Sequence, residues 1–317
     1  MTNPTTSRDP VDVLRTKYWY EGLCLRLGET TAYALEKKIE PGAFKKNGDN
    51  VSIHRNKWWR YRSGLHTPNA ATCSKADGIV MGSSADLNHP LWRSLRNEPL
   101  AHEAAGLLRQ LAPELQIILF EQHDNFRIEA GKRYLGRIEH RASLDALACL
   151  TILLKVNYEK GHYDQVWDFA HRVLRMLLIL GDVFDKRKIA EEIFEVYRKR
   201  IFNLVRLNGE RFCLDGYCYL GNVAILHHYA HNTNYTKGRS LTWNEQVKFM
   251  RRILDGDFGM DLRFLLMSSI RPDLSIGPPT CKSMLRKNQS VRLRKWSLQN
   301  VVTGGSERFP PANIWED

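Results

Sequence analysis

The sequence lacks any apolar segment long enough to cross a bilayer. The longest candidate, Leu144–Val156, is interrupted by Asp145 and Lys155 and falls short of the roughly 20 residues that a membrane helix needs. The N-terminal segment MTNPTTSRDP has no apolar core of the kind found in signal peptides. We therefore expect neither a membrane partner nor export.

Cysteine is also scarce. The six cysteines of this 317-residue chain are scattered and form no spacing typical of a disulfide framework. We expect reduced thiols, and a cytoplasmic location follows as a prediction.

Complete catalytic motifs are missing as well. The chain contains no Gly-x-Ser-x-Gly nucleophile turn and no glycine-rich phosphate-binding loop. Because these motifs are absent, we expect a protein without enzymatic activity and without a cofactor. An enzyme built from residues distant in sequence stays open as an alternative, with His102, Glu103, Asp215 and His227 as the residues it would use.

Positive charge is what the chain has in surplus. The formal net charge is +12, and the sequence pI is about 9.4. Residues 1–68 contribute +5 and residues 270–317 contribute +4, so the excess lies at both ends of the chain. A surplus of this size favours phosphate-bearing or otherwise acidic partners.

Helical periodicity runs through almost the whole chain and predicts an all-α fold. Asp9-Pro10 is a typical start of a first helix and Gly28 a typical end, while Thr30 or Thr31 precedes a second helix that Pro41 ends. The longer helices are expected in the segments Leu107–Phe120, Leu144–Val156, Tyr163–Leu180 and Ile189–Val205.

Two segments depart from this periodicity. Between Asn208 and Tyr219 we expect a small hairpin with Asp215-Gly216 as its turn. After Ile270, the composition shifts to Pro, Gly, Ser and Lys/Arg, which predicts a mostly extended or disordered arm.

A basic aromatic stretch, HRNKWWRYRSGLHTPNA (residues 54–70), is the most distinctive part of the sequence. On a helix from about Ile53 to Ser63, Trp58, Tyr61 and Leu65 share one face by three- and four-residue steps. The aromatic row is expected to pack in a core, and the Lys/Arg side chains are expected to stay in solvent. Such a helix suits contact with phosphates or base edges of a duplex.

The segment TTAYALEKKI (residues 30–39) followed by NKWWRYRSGLHTPNAATCSKADGIV (residues 56–80) resembles the helix-turn-helix of the Cro/Xre repressor class. Ala34 stands at the small-residue position, and Trp58, Tyr61, Gly64 and Pro68 stand at the ending positions. The residues that this resemblance and the basic stretch together place against DNA are Arg55, Asn56, Lys57, Trp59, Arg60 and Arg62.

One feature departs from that class. About eleven residues separate the two central helices, whereas the class uses a turn of about three or four. This insertion would supply contacts of its own through Lys45 and Lys46, or would move the third helix away from the groove-reading pose.

The C-terminal arm carries a second set of candidate DNA contacts. Residues 282–295 contain six Lys/Arg and no acidic residue, and these are Lys282, Arg286, Lys287, Arg292, Arg294 and Lys295. Such an arm favours contact with a phosphate backbone. A solvated tail is the open alternative.

A zinc site is the one metal hypothesis. His227 and His231 lie one helical turn apart, and Cys213 and Cys218 lie upstream, so the four would form a Cys2His2 set. Two partly buried cysteines and a polar helix end explain the same residues without metal.

The sequence thus predicts a cytoplasmic DNA-binding protein, a transcriptional regulator or DNA-associated factor, with RNA as a second candidate ligand. Its parts would be a disordered tail (1–10), a helix-turn-helix-like module (11–96), an α-helical body for dimerisation, sensing or partner binding (97–270) and a basic flexible arm (271–317). The chain would act as a homo-oligomer or a subunit of a complex. The alternative is a helical scaffold of a larger assembly without sequence-specific DNA binding.

Overall fold

The computed structural model describes residues 8–44, 56–121, 125–129, 131–232, 240–305 and 307–315. These residues are predominantly helical, with one small sheet, so the predicted all-α class is confirmed. Within these ranges, every helix is either too short or too polar to span a bilayer. The helices are α1 (Pro10–Leu27), α2 (Ala32–Ile39), α3 (Lys57–Arg62), α4 (Ala70–Ile79), α5 (Ser83–Leu87), α6 (Pro90–Ser94), α7 (Ala104–Leu108), α8 (Pro113–Leu119), α9 (Lys132–Arg141), α10 (Leu144–Glu159), α11 (Tyr163–Ile179), α12 (Gly181–Lys186), α13 (Ala190–Arg200), α14 (Tyr219–Asn232), α15 (Trp243–Asp255), α16 (Met260–Leu266) and α17 (Cys281–Thr303).

The chain divides into two compact units. The first comprises Met1–Arg96 and Val183–Val196, and the second comprises Asn97–Asp182 and Tyr197–Asp317. The C-terminal residues therefore belong to the second unit rather than to a separate arm.

Helix α1 has the ends that the sequence predicts. The Asp9 side chain accepts a hydrogen bond from the Val11 amide at 2.8 Å, and Pro10 occupies the first helical position. Gly28 closes the helix in the left-handed conformation, at φ 69°. Thr31 caps α2 in the same predicted manner.

An aromatic cluster forms the core of the first unit. Trp58 of α3 stacks on Trp19 of α1 with ring centroids 5.7 Å apart, and Tyr61 meets both rings edge-on. The predicted burial of Trp58 and Tyr61 is confirmed. The helix itself is shorter than predicted and begins at Lys57, with Ile53 outside the described residues.

Gly64 lets the chain leave α3 close to α1. Its φ is +68°, and a Cβ there would lie 2.6 Å from Cγ1 of Val13. We expect Gly64→Ala to lower the free energy of unfolding by about 2–4 kcal/mol, measured by urea denaturation, because backbone strain and overpacking add. Gly82→Ala is the matched control, since its φ is +73° and an added Cβ meets no atom within 4 Å. Equal losses in the two variants would contradict the steric argument.

The second unit is built around α10 and α11. Most of α10 is buried, and its Thr151 hydroxyl lies 2.8 Å from the Tyr197 hydroxyl in the core. The single helix predicted over Leu107–Phe120 is wrong, because the chain breaks into α7 and α8. Pro113 lacks a backbone N–H and begins the second of these helices.

The hairpin predicted between Asn208 and Tyr219 is wrong, because the hairpin that forms lies one strand earlier in the chain. Strand β1 (Arg206–Leu207) pairs with β2 (Glu210–Cys213), and β2 pairs antiparallel with β3 (Ser269–Pro272). The turn is Asn208-Gly209, where both residues have positive φ, rather than Asp215-Gly216. Asn-Gly is the favoured pair for a two-residue hairpin turn, because both positions require positive φ.

The extended or disordered arm predicted for residues 271–317 is wrong over most of its length. Cys281–Thr303 forms α17, which packs against α16 and β3. Thr280 caps its start and Gly304 its end. The apolar periodicity is weak because the buried positions of the helix are occupied mainly by polar residues, which are Ser283, Ser297 and Asn300 beside the apolar Leu293.

Candidate nucleic-acid interface

Helix α3 exposes three of the predicted DNA-facing side chains. Trp59 is 52% exposed, and Arg60 and Arg62 are exposed on the same short helix. Asn56 precedes the helix with left-handed backbone, at φ 49°. The predicted contacts Lys45, Lys46 and Arg55 lie outside the described residues.

The Lys57 side chain forms an ion pair inside the first unit. Its Nζ lies 2.9 Å from Oε2 of the buried Glu40, which also accepts hydrogen bonds from Trp58 Nε1 at 3.0 Å and from Lys75 Nζ at 2.9 Å. Burial raises the pKa of Glu40, but these three donors outweigh burial and hold the pKa below its usual value. Lys57 therefore positions α3, and its charge is partly neutralised.

Two of the α17 cations, Arg286 and Arg294, contact the hairpin and the residues that follow it. Arg286 Nη1 lies 3.1 Å from both carboxylate oxygens of Glu210. Arg294 donates to the Gly216 carbonyl at 3.2 Å and lies over the Tyr217 ring, 5.1 Å from its centroid. Lys282, Arg292 and Lys295 are exposed on the same helix.

Lys287 and Lys295 carry charge that the described residues do not neutralise. Neither ammonium group has a hydrogen-bond or ion-pair partner within the described part of the chain. Both line a depression of about 280 Å³ together with Arg294 and Arg271. Their positions are two helical turns apart on α17, so both point along one face.

A row of arginines crosses the exposed face of the sheet. Arg206 on β1 pairs in register with Arg211 on β2, and Arg211 pairs in register with Arg271 on β3. All three side chains are exposed. Like charges directly opposite each other destabilise a sheet, so the stability of the sheet does not explain this arrangement.

The arginine row and the α17 cations line two adjoining depressions that share Asp215 and Arg271. The larger depression measures about 540 Å³. We call the two together the basic groove. Its cations are Arg198, Lys199, Arg206, Arg211, Arg271, Lys287, Arg294 and Lys295, against the carboxylates of Asp215 and Asp273.

Both carboxylates of the basic groove are already occupied. Arg206 Nη1 lies 3.3 Å from Oδ2 of Asp273, and Arg271 forms an ion pair with Asp215. Burial raises the pKa of Asp273, but hydrogen bonds from Ser275 and the nearby arginines outweigh burial, so the pKa lies below its usual value. Among the residues that the structure describes, the side chain of Arg211 donates to the Asn203 amide oxygen alone, at 3.0 Å. The groove therefore retains a surplus of positive charge and suits a polyanion.

Lys287, Arg294 and Lys295 are among the DNA contacts predicted from the sequence, whereas the other cations of this groove are not. Arg198, Lys199, Arg206, Arg211 and Arg271 come from α13, the hairpin and β3, and only the sheet pairing brings them together. The local signal is the alternation of exposed and buried residues on either side of the Asn208-Gly209 turn. This alternation would have placed Arg206 and Arg211 on one face of a hairpin.

The hypothesised zinc ligands do not assemble into a site. Among the residues that the structure describes, no three His, Cys, Asp or Glu side chains are placed to hold a metal ion. Cys213 is buried on β2, and Cys218 is exposed ahead of α14. His227 Nε2 lies 3.3 Å from the Leu178 carbonyl, so this histidine is used in packing α14 on α11, and His231 lies one turn further along α14.

No family model matches the chain, and no curated protein or solved structure shows significant similarity to it.

Proposed function

We propose that this protein binds DNA and that the basic groove is its main contact with the phosphate backbone. The observation that carries the proposal is the in-register row of Arg206, Arg211 and Arg271. Arg206 and Arg271 are ion-paired with Asp273 and Asp215, whereas Arg211 has no ion pair among the described residues. A phosphate backbone would supply a counter-charge for Arg211 and would accept the remaining N–H donors of the row in pairs.

Helix α17 extends the same surface. Lys287 and Lys295 lie on the groove side of the helix, with about 12 Å of helical rise between them. Val291 and Leu298 line the same depression and add an apolar surface suited to sugar and base edges. The two lysines would each contact a phosphate of one DNA strand. Arg206, Arg211 and Arg271 on the sheet would bind the same DNA strand.

The first unit supplies a second candidate contact. Trp59, Arg60 and Arg62 lie exposed on α3, the helix that resembles the recognition helix of the Cro/Xre class. In this proposal the groove provides affinity, and α3 provides base contact and the basis for a role in transcriptional regulation.

The test is fluorescence anisotropy with a labelled duplex of about 20 base pairs, titrated between about 50 and 200 mM salt. We expect Arg211→Ala, Lys287→Ala and Lys295→Ala combined to weaken binding at least about tenfold and to lower the salt slope by about one per lost contact. None of the three side chains forms an ion pair with a carboxylate of the described residues, so we expect the variant to fold normally.

A matched control removes the same charge elsewhere. Arg133, Arg141 and Lys160 are exposed cations that do not line the groove. Their combined replacement by alanine should change affinity by less than about threefold. Equal losses of DNA affinity in the two triple variants would show that net charge alone explains the weaker binding. This result would contradict the assignment of the groove. Tighter binding to single-stranded or hairpin RNA than to the duplex would contradict DNA as the ligand.

A further inference from the structure

A separate cavity in the second unit combines positive charge with an apolar wall. It measures about 350 Å³ and lies among α9, α11, α15 and α16. Four cations line it, which are Lys132, Arg172, Arg175 and Arg263. This volume is at the small end of the range for ligand sites and fits a molecule of one or two rings.

The arginines are held in place by a buried carboxylate. Glu139 of α9 is fully buried, and its oxygens lie 2.7 Å from Arg172 Nη1, 2.6 Å from Arg175 Nε and 3.1 Å from Arg251 Nε. Asp255 accepts a further hydrogen bond from Arg175 Nη1 at 2.6 Å. The guanidinium groups are therefore oriented before any ligand arrives, which is the arrangement that lowers the entropic cost of binding.

Several donors remain unused. Within the described residues, Arg172 donates through Nη1 alone, so its other N–H groups have no acceptor there. The one hydrogen bond of Arg263 in the same part of the chain goes to the Asp255 carbonyl, at 3.3 Å. Lys132 is exposed and forms no hydrogen bond or ion pair among the described residues, although its charge interacts with that of Asp168. Three cations thus face the cavity with capacity for an anion.

The charges around the cavity do not balance. Lys132, Arg172, Arg175, Arg251 and Arg263 stand against three carboxylates, which are Glu139, Asp168 and Asp255. Burial, and after it Arg172, Arg175 and Arg263, lower the pKa of His171 to about 4, so this lining residue is neutral at neutral pH. The surplus positive charge is therefore carried by the permanently charged side chains.

Part of the lining of the cavity is apolar. Leu135 and Leu266 are buried, and Trp167 is half-buried with its ring edge-on to His171 and Phe212. An aromatic body would lie against this wall while its acidic group met the cations. The one carboxylate that lines the cavity, Asp168, is exposed.

We propose that this cavity binds a small organic anion, in which a carboxylate or phosphate group is joined to an aromatic or similarly apolar body. The acidic group is held by Arg172, Lys132 and Arg263, and the body packs on Trp167 and its leucine neighbours. This site is distinct from the basic groove and does not depend on DNA binding.

The experiment is isothermal titration calorimetry of the full chain with three probes of one shape: 1-naphthoate, 1-naphthyl phosphate and the uncharged 1-naphthalenemethanol. We expect at least one of the two anions to bind with a dissociation constant below about 1 mM and about tenfold more tightly than the alcohol. The anion that binds more tightly shows whether the cavity prefers a carboxylate or a phosphate group. Binding of the alcohol as tight as that of both anions would overturn the proposal.

Two variants locate the binding. Arg172→Gln and Lys132→Glu should each weaken anion binding by about tenfold and leave the alcohol unchanged. Lys132 is exposed and forms no hydrogen bond or ion pair among the described residues, so we expect Lys132→Glu to test the site without disturbing the fold. Anion binding that survives both changes, or that is lost instead in Lys287→Ala/Lys295→Ala, would place the anion in the basic groove and overturn the inference.

Discussion

Replacing Trp58 by alanine is expected to lower the free energy of unfolding by about 3–5 kcal/mol, whereas Trp59→Ala should change it by less than about 0.5 kcal/mol. Trp58 is 0% exposed, stacks on Trp19 and donates its indole N–H to Glu40, so its loss leaves a cavity and removes one of the donors to that buried carboxylate. Its neighbour is half in solvent. Urea denaturation of the two variants, monitored by far-ultraviolet circular dichroism, measures the difference.

The adjacent tryptophan serves as the control because the two substitutions remove the same side chain from the same short helix. Equal destabilisation by the two changes would contradict the orientation of α3. Under the proposed function, Trp59→Ala should instead weaken duplex binding, since an exposed tryptophan beside Arg60 and Arg62 contributes contact rather than stability.

The sequence was sufficient to orient α3 because helical spacing is a local property. Three-residue spacing predicted that Trp58 and Tyr61 share a buried face, and both are buried. Leu65 was assigned to the same face but is 54% exposed. The helix ends at Arg62, and Gly64 turns the backbone into the left-handed region, so the helical spacing no longer applies at Leu65.

Helix α17 shows how polar packing hides a helix from periodicity. Its buried face is held by Asn300, which donates to Asp261 at 2.8 Å, and by the ion pair of Arg286 with Glu210. Such contacts leave no apolar stripe in the sequence. Better evidence was available in the caps Thr280 and Gly304, with no Pro or Gly between them.

The arginine row could not be predicted from local patterns. Arg211 and Arg271 are 60 positions apart, and their register follows from the pairing of β2 with β3. A shift of this pairing by one residue would move Arg271 to the other face of the sheet. The same limit applies to Glu139 and Arg251, which meet only because α9 packs against α15.

The cluster around Glu139 carries the second large prediction. Glu139→Gln keeps the shape of the side chain but removes the charge that Arg172, Arg175 and Arg251 share. We expect a loss of about 3 kcal/mol in the free energy of unfolding, since three partly buried guanidinium groups would lose their common counter-ion. The estimate lies at the lower end for a broken buried ion pair because the arginines keep some contact with solvent. Urea denaturation of the full chain provides the measurement.

Asp255→Asn separates burial from charge in this cluster. Asp255 pairs with the same Arg175 at 2.6 Å, but its side chain is 49% exposed, so the change should cost less than about 1 kcal/mol. A Glu139→Gln variant as stable as Asp255→Asn would show that the arginines are held by packing alone. If the predicted difference is found, Glu139→Gln should also weaken binding of an aromatic anion, because Arg172 then loses the carboxylate that orients it toward the cavity.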